Sequence, residues 1–255
     1  MSGTVTWIEP AWAAPPGVHA VCTRRGGGAS AAPYDSLNLG DHVGDAPGAV
    51  MENRARLRRL ARMPAEPRWL SQVHGTLVAD LDTSTGIPVA DAAVSARAGT
   101  VCAVLTADCL PVLLSTVDGS VLGAVHAGWR GLAAGVIEAA LGALRARSVP
   151  GADIQAWLGP AIGPCHFEVG SEVRTTFLQQ DPAAEEAFAP NAAGRWQCDL
   201  YTLARLRLQR QGVADISGGG LCTYDDAANF YSHRRDVQHL GLAATGRMAS
   251  LIWRD

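Results

Sequence analysis

The sequence predicts an α/β or α+β domain, on three observations. Apolar strand-like runs alternate with segments of helical periodicity. The strands are many for a chain of 255 residues. No repeat and no Pro-, Gly- or Ser-rich linker interrupts the pattern, so residues 1–255 read as a single domain, long enough to bury a sizeable core. Taken in order, VHAVC is a strand that runs into the glycine-rich loop TRRGGGAS. PYDSLNLGDHVGD continues as loop, with turn signals at NLG and VGD. From Pro47 the pattern turns helical, with Val50, Leu57, Leu60 and Met63 at approximate helical spacing and five arginines on the other faces. RWLSQVHG and TLVADLD read as short strands around a tight turn at Gly75. AVSARAGTVCAVLTADCLPVLLS has a helical or loop start, then a buried strand ending near Asp108, then another strand. SVLGAVHAGW is a strand passing through AGWRG into one helix, GLAAGVIEAALGALRARSV. IQAWLGPAIGPC is strand then loop, while SEVRTTFLQQ and DLYTLARLRLQRQGV are amphipathic helices. GLCTYDDAANFYSHRRD is strand then loop, and MASLIWRD is a closing strand.

Composition narrows the function classes. Nearly half the residues are apolar and the net charge is −3, which gives no case for nucleic acid or an anionic membrane as partner. The 21 Lys-plus-Arg residues are all arginine. A Schiff-base lysine and a P-loop lysine are therefore excluded, and any phosphate must be held by arginine, histidine or backbone N–H groups. The polar start after Met1 carries no leader signature and no apolar stretch is long enough to span a bilayer, so the expectation is a cytoplasmic protein. The six scattered cysteines, without a CxxC pair, then read as free thiols.

Three residues stand out: His74 in SQVHG, Cys109 in TADCLP and His126 in AVHAGWRG. Two imidazoles and a thiolate suit zinc and leave a fourth position open, as in a catalytic site, where bound water is acidified to a pKa of ~7. The gaps of 34 and 16 residues match no short zinc signature, and the bland alternative is a buried thiol with two hydrogen-bonded histidines. Laccase chemistry is excluded, because the seven histidines include no HxH pair; Cu2+ could enter such a site only adventitiously. His19, His166 and His239 are expected to have no metal role. Arg24, Arg130, Arg234 and Arg235 are the natural anion holders, against ordinary ion pairs as the alternative. Asp108 is a candidate partner for a ligand histidine or else a turn cap. Cys165 and Cys222 read as buried apolar residues. Trp129 and Tyr224 could stack on a base but fit core packing better.

The chain resembles the laccase-domain family, also called the multicopper polyphenol oxidase or YfiH-like family, which includes the bacterial peptidoglycan editing factor. The resemblance runs nearly end to end, through TRRGGGASAAPYDSLNLGDHVGD, SQVHG, TADCLPVLL, AVHAGWRGLAAGV, LGPAIGPCHFEVG, CTYDD, NFYSHRRD and TGRMASLIW. It implies a four-layer α/β/β/α sandwich with two mixed β-sheets, and a zinc site at His74, Cys109 and His126, the catalytic group. It places Asn38 and His42 near the substrate pocket, beside the anion candidates Arg24, Arg130 and Arg234. The activities it implies are phosphorolysis of adenosine, inosine, guanosine and methylthioadenosine, and deamination of adenosine, with a nucleoside and phosphate as partners. The alternative is an amidase that removes L-serine from the muropeptide precursor UDP-MurNAc-L-serine, with Cys109 as ligand or as nucleophile. A third class is a non-enzymatic zinc-binding module.

Overall fold

Two β-sheets stacked face to face organise the computed structural model, which describes residues 5–255; the polar residues directly after Met1, part of the no-leader expectation, lie outside the described residues. In chain order the strands and helices begin with β1 (Trp7–Ile8), β2 (Val18–Thr23), α1 (Pro47–Leu60), β3 (Val78–Asp80), β4 (Ala92–Ser95) and β5 (Cys102–Thr106). Next come β6 (Leu110–Thr116), β7 (Leu122–Ala127), α2 (Trp129–Ala134), α3 (Val136–Arg147), β8 (Ile154–Leu158) and β9 (Glu168–Val169). The chain closes with α4 (Ser171–Gln180), β10 (Phe188–Pro190), β11 (Trp196–Cys198), α5 (Leu200–Arg210), β12 (Asp215–Gly218) and β13 (Met248–Arg254).

The order β12-β8-β6-β7-β4-β3 forms the larger sheet and β1-β2-β13-β5 the smaller. Alternation along the strands fills the space on both sides of the smaller one. Cys102 and Val104 of β5 with Ile252 of β13 face Ala93, Leu113, Ala124 and Trp157 of the larger sheet. Ala103, Leu105, Leu251 and Trp253 point the other way, onto Leu57 of α1, Leu37 and Leu39. The far face of the larger sheet, including Leu110, Val112 and Val125, packs on α2, α3, α4 and α5 through residues such as Leu132, Ile137, Phe177 and Leu203. The described residues thus form one α/β/β/α domain. Mixed pairing is confined to the larger sheet, where β12 with β8 and β3 with β4 run parallel. The smaller sheet is antiparallel throughout, and β9, β10 and β11 add a three-stranded antiparallel sheet that no sequence pattern foretells.

Several local expectations are corrected. The single helix expected after AGWRG is two, because Gly135 (φ +100°) caps α2 in the left-handed region that favours glycine. Leu60 is exposed rather than core, and Asn53 takes the buried face of α1, binding Ala29 N–H, Ser30 and the Ser36 and Asn38 carbonyls. RWLSQVHG makes only isolated bridges at Arg68 and Ser71, and the start of AVSARAG is β4 rather than helix or loop. Part of the YSHRRD loop is a π-helical turn, Arg234–His239.

Candidate metal centre and cavity

His74, Cys109 and His126 come together from three elements, with their donor atoms within 4.8 Å of one another. Cys109 enters β6 directly after Asp108, whose φ of +89° reverses the chain leaving β5. The Asp108 carboxylate is fixed by Thr223 Oγ1–H and the Arg234 N–H, both at 2.7 Å, so it ties this turn to the C-terminal segment and partners no ligand histidine. That partner is Asp91, which the sequence did not single out. Fully buried before β4, it faces His126 Nδ1 at 2.8 Å. It also accepts from the backbone N–H groups of Val73, His74 and Gly75 at 3.2, 2.9 and 2.6 Å. One carboxylate therefore orients one imidazole and builds the turn that carries the other. The left-handed residue of that turn is His74 (φ +60°) rather than Gly75, a conformation costly for a side chain and held here by those three bonds.

The glycines of AGWRG let α2 close against this cluster. A Cβ on Gly128 would stand 2.9 Å from both Cys109 Sγ and His74 Cδ2, and one on Gly131 would stand 2.8 Å from the Gly75 carbonyl oxygen. Cys109 Sγ lies 3.8 Å from His74 Nε2, and the two imidazoles meet edge to face at 4.8 Å. With Nδ1 of His126 directed at Asp91, its Nε2 is left for a metal, an arrangement common to histidine ligands. A thiolate and two imidazoles at these separations fit a borderline-soft ion such as zinc.

The electrostatics set Cys109 apart from the other thiols. Burial pushes its thiol up, but the charge and hydrogen bonds of His126 and His74 outweigh burial and bring it down to about 6. Burial likewise lowers His126, yet the Cys109 charge and the Asp91 hydrogen bond raise it to about 9. Without a metal the two form a thiolate–imidazolium pair at neutral pH. Cys22 and Cys102, by contrast, are pushed up to about 12 by burial alone or nearly so.

The cluster opens into a cavity of about 400 Å³ lined by Trp129, Phe167, Ile162, Leu200, Thr106 and Gln72 as well as charged groups. A larger concavity of about 720 Å³ runs along α1 beside Arg58, Arg59 and Arg62, but it contains no histidine or cysteine. Of the residues expected near substrate, His42, Arg130 and Arg234 line the smaller cavity. Arg24 and Asn38 do not. Arg24 donates to Asn229 Oδ1 at 2.8 Å, outside the lining. Asn38 is fully buried and its amide is consumed by Gly40, Asp45 and the Arg247 N–H, which leaves nothing for a ligand. His233, Gln238 and Arg247 line the cavity without having been singled out.

The remaining candidates resolve as structural groups or surface. Arg235 is buried and spent on Asp236 and the carbonyls of Thr223, Tyr224 and Phe230. Arg130 pairs with no carboxylate among the described residues; its guanidinium lies over Trp129 at 4.5 Å. Trp129 therefore belongs to the cavity wall, while Tyr224 stacks on His166 and meets His239 edge-on, its hydroxyl 2.8 Å from His239 Nδ1. Cys165 is exposed, and the half-buried Cys222 accepts from Gly163 N–H through Sγ, so neither is an apolar core thiol. His19 pairs with Asp255 and His166 with Asp225.

A His-Cys-His cluster that could hold a metal, set in a four-layer sandwich, defines the class, and comparison with known proteins gives the family. The family model described as multi-copper polyphenol oxidoreductase laccase matches residues 19–255, and the chain belongs to that family. It is 51% identical over 248 residues to a purine nucleoside phosphorylase of Pseudomonas aeruginosa, covering 97% of this chain and 98% of that one. It is 49% identical over 250 residues to the purine nucleoside phosphorylase YfiH of Escherichia coli, covering 96% and 98%. Among solved structures, a Neisseria meningitidis protein superposes with a TM-score of 0.90 at 44% identity, covering 98% of this chain and 99% of that one. YlmD from Geobacillus stearothermophilus superposes with a TM-score of 0.86 at 32% identity, covering 97% and 96%.

Proposed function

We propose that this chain is a zinc-dependent purine nucleoside phosphorylase. The observation that carries the reading is the make-up of one cavity. Its wall combines the His74, Cys109 and His126 donors with the flat apolar surfaces of Trp129 and Phe167 and with three arginines. Its volume of about 400 Å³ lies in the range of small-ligand sites. Relatives named purine nucleoside phosphorylase, about half identical over nearly the whole chain, support the same reading.

In phosphorolysis the C1′–N9 bond breaks with its electron pair leaving on the purine, while a phosphate oxygen bonds to C1′. The proton of hydrogenphosphate ends on the purine, so the products are the free base and ribose 1-phosphate. What the chain must supply is positioning and charge. Trp129 and Phe167 offer faces for the purine ring, worth about 0.5–1.5 kcal/mol per aromatic pair beyond area burial. The cavity arginines offer the counter-charge for the anion. Zinc held by His74, Cys109 and His126 would supply Lewis-acid polarisation of a bound oxygen. Asp91 keeps His126 in the tautomer that ligates through Nε2.

Adenosine, inosine, guanosine and methylthioadenosine are the expected nucleosides, and deamination of adenosine is the expected side activity of the same cavity. The six thiols, unpaired in the structure, suit a reducing cytoplasm. The test is product analysis by mass spectrometry on metal-quantified protein and its Cys109→Ala variant. Adenosine with phosphate should give adenine and ribose 1-phosphate, with inosine if deamination occurs, from the wild type alone. Release of L-serine from UDP-MurNAc-L-serine without any purine product would replace the proposal by the amidase reading.

A further inference from the structure

Three arginines line the cavity, and in a chain without lysine they are its permanently charged candidates for holding an anionic co-substrate. Their commitments differ. Arg234 spends both terminal nitrogens on main-chain carbonyls, Nη1 on His166 and Glu168 and Nη2 on Glu168. Arg130 is exposed at the mouth and stacked on Trp129. Arg247 is half-buried, and only its Nη1 is engaged, by the carbonyls of Thr245 and Gly246 at 3.0 and 3.1 Å. No carboxylate among the described residues makes an ion pair with it. Its Nε and Nη2 hydrogens form one edge of the guanidinium, the edge that grips two oxygens of a phosphate side by side. Cys109 and Asp108 of the same cavity wall attract the Arg247 charge without an ion-pair contact, so burial still weighs against the guanidinium and its free edge stays open to an incoming anion.

The backbone around Arg247 is built to hold this side chain in place. Its N–H is taken by the buried Asn38 Oδ1 at 2.9 Å, and Asn38 is in turn locked by Gly40 and Asp45. Gly40 lets the side chain lie against the 38–42 loop, since a Cβ there would stand 2.8 Å from Arg247 Cγ. Gly246 lies flat on the buried Tyr231 ring, where a Cβ would stand 2.5 Å from Cζ. His42 and His233 line the same cavity. Burial first, and the Arg247 charge second, lower both imidazoles from the ordinary histidine value, against the opposite pull of Asp41 on His42 and of Asp108 on His233.

We infer that Arg247 is the anchor of the phosphate co-substrate, gripping inorganic phosphate through its free guanidinium edge at the end of the cavity shared with His42 and His233. The assignment rests on the phosphorolytic reading, and it gives Asn38 the part of a positioning residue that acts through Arg247.

The test measures phosphate and nucleoside separately. Inosine phosphorolysis is followed with each substrate varied in turn, and inorganic phosphate binding is titrated by calorimetry. The proteins are zinc-loaded wild type, Arg247→Gln, Arg247→Lys and, as surface control, Arg59→Gln. In Arg247→Gln the phosphate KM and Kd should rise at least tenfold, with the inosine KM within twofold. Arg247→Lys should recover part of the loss and Arg59→Gln should match wild type. Phosphate affinity within twofold of wild type in Arg247→Gln, or equal losses for phosphate and inosine, would overturn the assignment. Should the wild type fail to turn over any nucleoside, calorimetry still decides. Phosphate binding that Arg247→Gln abolishes would keep the anion site and dismiss the phosphorylase reading, whereas no phosphate binding by the wild type would overturn both.

Discussion

Replacing Asp91 by asparagine keeps the side chain's size, removes its charge and disturbs two of the three candidate metal donors at once. Each carboxylate oxygen takes two donors: Oδ1 faces His74 N–H at 2.9 Å and His126 Nδ1 at 2.8 Å, while Oδ2 faces Val73 N–H at 3.2 Å and Gly75 N–H at 2.6 Å. An amide has one oxygen, so whichever way it turns, its NH2 meets a pair of donors. Two hydrogen bonds to a charged group are lost, each worth about 1.5–3 kcal/mol, so Asp91→Asn should cost roughly 3–6 kcal/mol of stability. That is a large fraction of the about 5–15 kcal/mol of a typical domain. The second effect is on the metal. Removal of an outer-shell partner commonly costs 10- to 100-fold in affinity, and Asp91 also builds the His74 turn, so the upper part of that range is expected. Urea unfolding of the metal-free protein gives the first number and zinc competition against a chromophoric chelator gives the second. Stability lowered by less than 1 kcal/mol together with zinc affinity within twofold of wild type would show that Asp91 does not hold the two histidines in place.

Three further outcomes follow from the same geometry. In metal-stripped protein carrying Cys165→Ser, alkylation of Cys109 by iodoacetamide should rise through pH about 6 and level off by neutral pH, because the thiolate is favoured above that value; a rate still climbing at pH 8 would contradict the ion pair, and zinc should suppress the reaction. Gly128→Ala should weaken zinc binding at least tenfold at a stability cost of about 1–3 kcal/mol, since the backbone there (φ −66°, ψ 156°) accepts alanine but the new methyl meets Cys109 and His74. Gly142→Ala, on the exposed face of α3 with open space around it, should instead raise the unfolding midpoint, by about 0.5–1 kcal/mol in stability.

Most elements were legible because they rest on local patterns, whereas the four layers were legible only through the family resemblance. The helices α4 and α5 declare themselves through periodicity, and β5, β6 and the closing strand β13 through apolar runs. The three short strands β9, β10 and β11 did not, because two or three residues carry no period. Gly135 could have marked the break between α2 and α3, but a lone glycine inside a helical pattern is ambiguous until its φ is known. At the site, His74, Cys109 and His126 were visible by residue type, and it was the family resemblance that drew them together across gaps of 34 and 16 residues. Asp91 was missed because a single Asp ahead of an alanine-rich strand resembles any strand-initiating polar residue. Arg247 was missed for a related reason: TGRM reads as the lead-in to β13, and only the fold reveals a cavity wall. Asn38 erred in the opposite direction, a loop residue whose polarity serves the loop itself and Arg247.

Phosphorolysis of nucleosides in the cavity that joins His74, Cys109 and His126 is put to the test by phosphorus NMR of zinc-loaded protein with inosine and phosphate, with hypoxanthine followed in the same tube. A ribose 1-phosphate resonance should grow one for one with hypoxanthine in the wild type and be absent with Cys109→Ala. Hypoxanthine formed with no new phosphorus resonance, or the same progress curve from the Cys109→Ala protein, would contradict it.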